Sequence, residues 1–249
     1  MKIAITGAAG FLGRALIQKL VPRHDVYPSD LEASAGDPAI TQADVLDIEQ
    51  MHNLCAGMDR VIHLSCVSYQ DNLSGEDNDT CTLDTRLKGT HNVMKVALEA
   101  GVQNVIQISD LCIFSGYDSD LLILEDFLPL PDTSAIQQSI YLSEWIAREF
   151  ARLKPGFVLT LRLGQLVDAK TLSPDTPFNP DWLDLNDAAD AIMRGLEIET
   201  YDHPDHWGLY NLASMHPLSR FSLAKIRSGR YNFQPAEDFR QWWRGEVNA

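Results

Sequence analysis

The chain has little positive charge and few lysines. Only seven of its 249 residues are lysine, and 35 acidic side chains outnumber 20 basic ones, which gives a formal net charge of −15. Because phosphate backbones are bound by clustered lysine and arginine, this composition predicts that nucleic acid is not a partner. The charge also argues against anionic membrane surfaces. No apolar run reaches the roughly 18 residues that would span a bilayer.

Cysteines are also few, and the first residues lack the pattern of a secretory signal. The four cysteines, Cys55, Cys66, Cys81 and Cys112, form no Cys-x-x-Cys pair. A chain of this length can bury a core without disulfides. We therefore expect reduced thiols and a cytoplasmic location.

Short apolar runs alternate with helical patterns along most of the chain. The runs typical of strands are residues 2–6, 25–29, 60–64, 104–109, 157–163 and 207–212, and helices are expected at 11–20, 47–55, 83–99, 137–153 and 186–196. This alternation predicts an α/β fold, a Rossmann-type doubly wound parallel sheet. We expect residues 1–165 to form a dinucleotide-binding core. Residues 166–249 are expected to form a smaller C-terminal substrate lobe interleaved with that core.

Two acid-rich stretches, residues 69–84 and 116–134, are expected to be loops. Both follow strands at the carboxyl edge of the sheet, where open α/β sheets bind ligands. If they surround a substrate cleft, their ten carboxylates would repel an anionic substrate. The alternative is that they are merely solvated loops.

A glycine-rich turn follows the first strand. Gly7, Gly10 and Gly13 have Gly-x-x-Gly-x-x-Gly spacing at the start of a helix. Glycine permits the tight turn and the close approach of a pyrophosphate to the backbone, and the helix start at Phe11 and Leu12 offers free N–H groups. The pattern predicts a dinucleotide-binding site, because the strand, the helix and a following acid all agree.

That acid is Asp30, at the end of the second strand. A carboxylate there can accept both ribose hydroxyls of NAD and would repel the additional phosphate of NADP, although Arg14 could offset part of this repulsion. We therefore expect NAD rather than NADP. Asp44, followed by Val45, lies where an adenine amino group could be reached, or is a turn-capping aspartate.

These motifs resemble the extended short-chain dehydrogenase/reductase family, the NAD-dependent epimerases and dehydratases, over about residues 1–215. The landmarks are the glycine turn, Asp44-Val45, Val61-Ile62-His63-Leu64-Ser65-Cys66, Lys88-Gly89-Thr90, Arg162-Leu163-Gly164 and Asn186-Asp187-Ala188. The short C-terminal part looks most like compact uronate-dehydrogenase-like members. The resemblance implies that Leu64, Ser65 and Cys66 line the nicotinamide side of the cofactor groove. It also implies a homodimer that pairs the helices near 83–99 and 137–153.

Catalysis in that family uses a Ser or Thr after the fifth strand and a Tyr-x-x-x-Lys pair on the next helix, and this chain departs from the pattern. Asp110 stands at the Ser position with Ser109 just before it, and the Tyr and Lys positions fall on Ile140 and Glu144. If Tyr141 is taken as the family tyrosine instead, the lysine position is a tryptophan.

The candidate catalytic residues are therefore Asp110, Tyr141 and Ser109, each with an alternative interpretation. Asp110 could be a replacement acid/base or a capping aspartate, and Tyr141 could be catalytic or a packing aromatic. Arg86 replaces a family asparagine and could supply the missing cation or pair with Asp110. Arg162 is interpreted as a structural ion-pair partner.

Besides an enzyme with tightly held NAD that uses chemistry outside the usual triad, two functions remain open from the sequence. The first is an NAD-dependent oxidoreductase or epimerase/dehydratase that acts on a sugar or related polyol with a substituted triad. The second is a non-catalytic NAD(P)-binding sensor or regulatory protein, since the chain keeps the phosphate turn and loses the usual proton-transfer groups. Fold alone does not decide between them.

Overall fold

The computed structural model describes residues 1–33, 35, 39–64, 74–153, 156–201 and 203–243. Its main sheet is built from β1 (Lys2–Thr6), β2 (Asp25–Asp30), β3 (Thr41–Gln42), β4 (Arg60–His63), β5 (Asn104–Asp110), β6 (Phe157–Leu163) and β9 (Trp207–Leu212). These strands are parallel and lie in the order β3-β2-β1-β4-β5-β6-β9. A small second sheet pairs β7 (Gln165–Val167) with β8 (Trp182–Asp184).

Helices cover both faces of the main sheet. They are α1 (Phe11–Leu20), α2 (Ile48–Cys55), α3 (Gly75–Leu83), α4 (Thr90–Glu99), α5 (Ala135–Ala151) and α6 (Leu185–Leu196). A π-helical turn (Asp84–Gly89) joins α3 to α4, and a 3₁₀ turn (Leu111–Phe114) follows β5.

The two faces of the sheet can be told apart from the strand residues, because successive side chains point to opposite sides. Ile3, Ile62 and Ile106 pack in one buried cluster together with α1 and α6. Their neighbours Val61 and Val105 pack in a second cluster with α2, α4 and α5. This arrangement confirms the Rossmann-type doubly wound fold expected from the sequence.

The bounds of the six expected strands agree with the expectation to within a residue, whereas β3, β7 and β8 were not expected and part of one expected loop is a helix. Residues 75–83 of the stretch expected to be an acidic loop form α3, which Ser74 caps by accepting the Asp77 N–H at 3.1 Å. Helix α6 is capped by Asp184, whose carboxylate accepts the Asn186 N–H at 2.8 Å.

Residues beyond 165 contribute to both the lobe and the core. Trp182, Phe239 and Trp242 form a buried aromatic cluster beside the small sheet. Strand β9 extends the main sheet beside β6, and there the Trp207 indole donates to the Thr160 hydroxyl at 2.9 Å. The boundary at residue 165 stays a prediction. In the part of the chain described, no helix is long and apolar enough to cross a membrane.

Candidate functional site

A cleft of about 1110 Å³ lies at the carboxyl edge of the sheet. The chain leaves β1 toward α1 on one face and leaves β4 toward α3 and α4 on the other face, so the cleft opens at the switch point where doubly wound sheets bind ligands. Its lining combines the glycine turn, the ends of several strands, the π-helical turn, and Asn179, Asp181 and Arg220 from beyond residue 165.

The glycine turn has the geometry that a dinucleotide requires. Gly7 has a φ of +74°, and a Cβ on Gly13 would lie 2.4 Å from the Ala8 carbonyl oxygen. The first hydrogen bond of α1 runs from the Arg14 N–H to the Gly10 oxygen at 3.1 Å, and Gly10 supplies no side-chain cap. The N–H groups at the start of α1 are therefore available to a diphosphate.

Asp30 occupies the place expected of the ribose-binding acid. Its Oδ2 accepts the Ala9 N–H at 2.9 Å, and the residue lines the cleft together with Glu32. The Arg14 guanidinium donates to the Ala9 carbonyl at 2.9 Å, and no contact between Arg14 and Asp30 is found within the described ranges. Two carboxylates thus face the region where the additional phosphate of NADP would lie, which favours NAD.

Asp44 and Val45 also line the cleft, next to the turn. Asp44 Oδ1 accepts the Leu46 N–H at 2.9 Å, so its carboxylate has the turn-capping role that was the alternative interpretation. Val45 packs against Gly89, whose Cβ, if present, would meet the Val45 side chain at 2.6 Å. A contact of Asp44 with adenine stays a prediction.

Leu64, which is predicted to lie on the nicotinamide side, lines the cleft. Ser65 and Cys66 lie outside the described residues. The preceding His63 is buried and bonded through both ring nitrogens, to the Thr6 hydroxyl at 2.8 Å and to the Thr90 hydroxyl at 3.1 Å. Burial lowers the pKa of His63 to about 4, so this residue is a neutral core histidine at pH 7.

A buried ion pair lies beneath the place where the catalytic groups of the resembled family would meet. Arg162 donates from Nε to Glu144 Oε1 at 2.8 Å and from Nη2 to Oε2 at 2.7 Å, and both residues are 2% exposed. Ser109, at the carboxyl end of β5, donates its hydroxyl to Glu144 Oε1 at 2.5 Å and also lines the cleft. This confirms the interpretation of Arg162 as an ion-pair partner and identifies Glu144 as its counter-ion.

The structure does not bring Tyr141 to the cleft. Ile140 and Glu144 point inward from α5 and are buried, whereas Tyr141 lies about 100° around the helix from Ile140. The Tyr141 ring instead packs edge-on to the Trp145 ring, with centroids 6.4 Å apart, and it is absent from the cleft lining. This location matches the alternative interpretation of Tyr141 as a packing aromatic.

Asp110 lines the cleft and also caps the 3₁₀ turn. Its Oδ1 accepts the Cys112 N–H at 2.7 Å. Burial, together with the charge and hydrogen bond of Asp110, raises the pKa of the Cys112 thiol, so this cysteine is a protonated neighbour and not a thiolate.

Arg86 lies on the π-helical turn and lines the same cleft. Its Nε is buried without a hydrogen-bond partner, and no ion pair to Asp110 is found among residues with described positions. π-helical turns inside helices occur often at functional sites. Arg86 thus places a positive charge in the lining of the cleft.

The acids of the two expected loops that lie in the described part of the chain do not line the cleft, which corrects the sequence interpretation; Asp71 lies outside that part. In the second stretch Asp118, Asp120 and Asp132 are exposed, whereas Glu125 is buried. The carboxylates in the cleft lining come from Asp30, Glu32, Asp44, Asp110 and Asp181. Of these, Glu32 and Asp181 were not singled out from the sequence, because neither belongs to a motif or to a segment with periodicity.

The glycine cradle, the acid after β2 and the switch-point cleft together define a dinucleotide-binding protein of the Rossmann type. Comparison with protein-family models identifies the family: the model of the NAD dependent epimerase/dehydratase family matches residues 3–176. The chain therefore belongs to that family, as its resemblance implied, and NAD is the cofactor that the family name carries.

Individual relatives agree with this assignment. The chain is 25% identical over 224 residues to an L-arabinose 1-dehydrogenase (NAD(P)(+)) of Haloferax volcanii, a match that covers 82% of this chain and 85% of the relative. Its fold is similar to that of a uronate dehydrogenase from Agrobacterium tumefaciens, with a TM-score of 0.79 and 20% identity over 95% of this chain and 85% of that one. A short-chain dehydrogenase/reductase superfamily protein from Agrobacterium tumefaciens with bound NAD gives a TM-score of 0.80 at 17% identity, covering 97% and 94%.

Proposed function

We propose that the protein is an NAD-dependent oxidoreductase or epimerase/dehydratase that acts on a sugar or related polyol with substituted acid–base groups. The observation that carries the proposal is the continuity of the cleft. One cavity runs from the glycine turn and Asp30, past Ser109 and Asp110, to Asp181 and Arg220 beyond residue 165. It thus provides a cofactor site and adjoining space for a substrate.

Each end of the cleft has a distinct role in this proposal. The N–H groups at the start of α1 would bind the diphosphate, and Asp30 would accept the adenosine ribose hydroxyls. Bound NAD supplies the acceptor for a hydride. The Arg86 guanidinium lines the cleft from the π-helical turn, and its Nε has no hydrogen-bond partner among the described residues, so it would hold polar groups of the cofactor or substrate.

Ser109 and Asp110 would handle the substrate hydroxyl. A serine hydroxyl has one hydrogen, and that of Ser109 is donated to Glu144 Oε1 at 2.5 Å. Its oxygen can therefore only accept a hydrogen bond from the cleft, which suits a substrate alcohol. Asp110 is the carboxylate next to it in the cleft lining, and we propose it as the general base that takes the hydroxyl proton.

A second candidate, a non-catalytic NAD-binding sensor or regulatory protein, is favoured by the residues that stand at the family tyrosine and lysine positions. Ile140 carries no titratable group, and Glu144 has both carboxylate oxygens bonded to Arg162. The positions of the family tyrosine and lysine are therefore filled by groups that hold the structure. An enzyme must then move protons through side chains outside that pair.

The two candidates are separated by binding and turnover measured on the same preparation. Calorimetry should show NAD binding in either case. Formation of NADH at 340 nm with a panel of aldoses, uronates and polyols is expected for the enzyme, and Asp110→Asn should lower kcat by about 100-fold or more. Asp120→Asn, an exposed aspartate outside the cleft, is the matched control. NAD binding without turnover on the panel would instead support the sensor.

The quaternary state and location stay predictions. The homodimer expected from the resemblance would pair α4 and α5 of two copies, and sedimentation velocity would test it. Leu142 and Trp145 on α5 are 43% and 42% exposed in the single chain.

A further inference from the structure

The cleft adjoins a smaller cavity of about 300 Å³. Ser115, Asp181 and Arg220 line both cavities and therefore lie where the two meet. Tyr117 and Leu218 are among the other residues of the smaller cavity, and none of its residues belongs to the glycine turn. This junction is thus on the substrate side of the site.

Asp181 is held firmly at the junction by its backbone. Its N–H donates to Asn179 Oδ1 at 2.9 Å, and its carbonyl accepts the Gln165 N–H at 2.9 Å. The end of β6 lies so close that a Cβ on Gly164 would be 2.3 Å from the Asp181 carbonyl oxygen. These contacts fix the backbone of Asp181 at the junction.

The Asp181 carboxylate lacks the partners that a half-buried acid usually has. Its Oδ1 is buried and accepts no hydrogen bond from any residue whose position is described. Burial raises the pKa of Asp181, and the positive charge of Arg220 opposes this effect. A buried oxygen without a donor is costly, so the Asp181 carboxylate is left with unsatisfied acceptor capacity at the junction.

Arg220 does not neutralise Asp181 through a direct contact. Its guanidinium donates to the carbonyl oxygens of Tyr117, Asp118 and Phe114 at 3.0, 3.4 and 3.2 Å. Three of its five N–H groups are thus directed at the backbone of the segment after the 3₁₀ turn. The junction therefore offers the acceptor capacity of the Asp181 carboxylate beside the two remaining N–H groups of Arg220.

We propose that Asp181 determines substrate specificity by accepting a hydrogen bond from a substrate hydroxyl, so that the site takes an uncharged sugar or polyol and disfavours a sugar acid. The inference rests on the proposed function. A carboxylate cannot donate a hydrogen bond to the carboxylate of a uronate, and the two like charges repel each other. Asp110, in the same cleft lining, adds to this repulsion.

The test compares sugars that differ only in the oxidation state of C6, namely galactose with galacturonate and glucose with glucuronate. For wild type with NAD, kcat/KM is expected to be at least 10-fold higher for the neutral sugar of the preferred pair. Asp181→Ala should raise KM for that sugar by 10-fold or more and change kcat less. Asp181→Asn keeps an acceptor oxygen and removes the charge, so the ratio of uronate to neutral-sugar kcat/KM should rise by 10-fold or more. Asp120→Asn should leave these values unchanged.

Several outcomes would overturn the inference while the enzyme proposal stands. These are a wild-type preference for the uronate, a neutral-sugar KM within twofold of wild type in Asp181→Ala, or an unchanged ratio in Asp181→Asn. If no sugar is turned over, binding of the neutral sugars to the NADH-saturated protein is measured by saturation-transfer NMR. Binding that is lost in Asp181→Ala would support the inference and refute catalysis. No binding of these sugars to wild type would refute both.

Discussion

Removing one partner of the Glu144–Arg162 pair should destabilise the fold far more than removing both. The pair is 2% exposed on each side and is bonded bidentately, and Arg162 also donates to the Glu125 carbonyl at 3.3 Å. Arg162→Met leaves a carboxylate in the core with only the Ser109 hydroxyl to solvate it. Glu144→Met leaves a guanidinium whose strongest acceptors are gone.

The expected magnitude follows from the distance and the burial. At the 2.7 Å separation of Arg162 Nη2 and Glu144 Oε2, two unit charges attract by about 6 kcal/mol at an effective dielectric constant of 20. Part of this offsets desolvation, and loss of one partner of a buried pair typically costs about 3–5 kcal/mol. For a chain of this length that corresponds to a fall in Tm of roughly 6–20 °C.

Urea unfolding followed by circular dichroism measures these costs. The double variant Glu144→Met/Arg162→Met should be more stable than either single variant, because two apolar side chains replace two charges and no unpaired charge remains. Arg152→Met is the control, since Arg152 pairs with Glu149 at a similar distance of 3.0 Å but both side chains are about half exposed, and it should cost less than about 1 kcal/mol. The reasoning is refuted if Arg162→Met costs no more than Arg152→Met, or if the double variant costs the sum of the two singles.

Three further predictions concern the cradle and the core. Gly13→Ala places a Cβ 2.4 Å from the Ala8 oxygen and should abolish NAD binding in calorimetry and lower stability by about 1–3 kcal/mol, whereas Gly75→Ala, with open space around it, should do neither. Asp30→Ala should weaken NAD binding about 10- to 100-fold and narrow the preference for NAD over NADP, and an unchanged preference would contradict the assigned role. The pKa of His63 is lowered in the folded protein, so below pH 6.5 this histidine is protonated in the unfolded chain but stays neutral in the folded chain down to about pH 4. Because of this histidine, the free energy of unfolding of the wild type should fall by about 3 kcal/mol between pH 6.5 and pH 4. In urea titrations, the free energy of unfolding of His63→Gln should fall by about 3 kcal/mol less over the same pH range. An equal pH dependence in the two proteins would refute the prediction.

The parts of the fold that were predicted correctly are those specified by local sequence. The strands of the core are short apolar runs, and the glycine turn needs three glycines at fixed spacing against one strand and one helix. Helix α3 was missed because its residues have almost no apolar periodicity. Ser74 followed by Glu76 and Asp77 was the available signal, since a capping serine and first-turn acids mark a helix start.

The features that could not be predicted depend on contacts between distant parts of the chain. The sequence indicated that Arg162 forms an ion pair, but its partner lies 18 residues away on α5, and the pairing exists only once α5 packs on β6. Asp181 reaches the cleft because the segment before β8 is bonded to the end of β6, and no local pattern specifies that contact. Tertiary packing likewise determines that Ile140, and not Tyr141, points inward from α5.

The substitution at Glu144 therefore changes which groups can handle protons and not simply how many there are. A lysine at that position would hold a positive charge at the floor of the cleft, whereas Glu144 forms a closed pair with Arg162 and turns the Ser109 hydrogen away from the substrate. The charged groups in the cleft lining on this side are Asp110 and Arg86 and, toward the smaller cavity, Asp181 and Arg220. Asp110 is the proposed proton acceptor among them, which is why Asp110→Asn separates an enzyme from a sensor more sharply than any change at the buried pair.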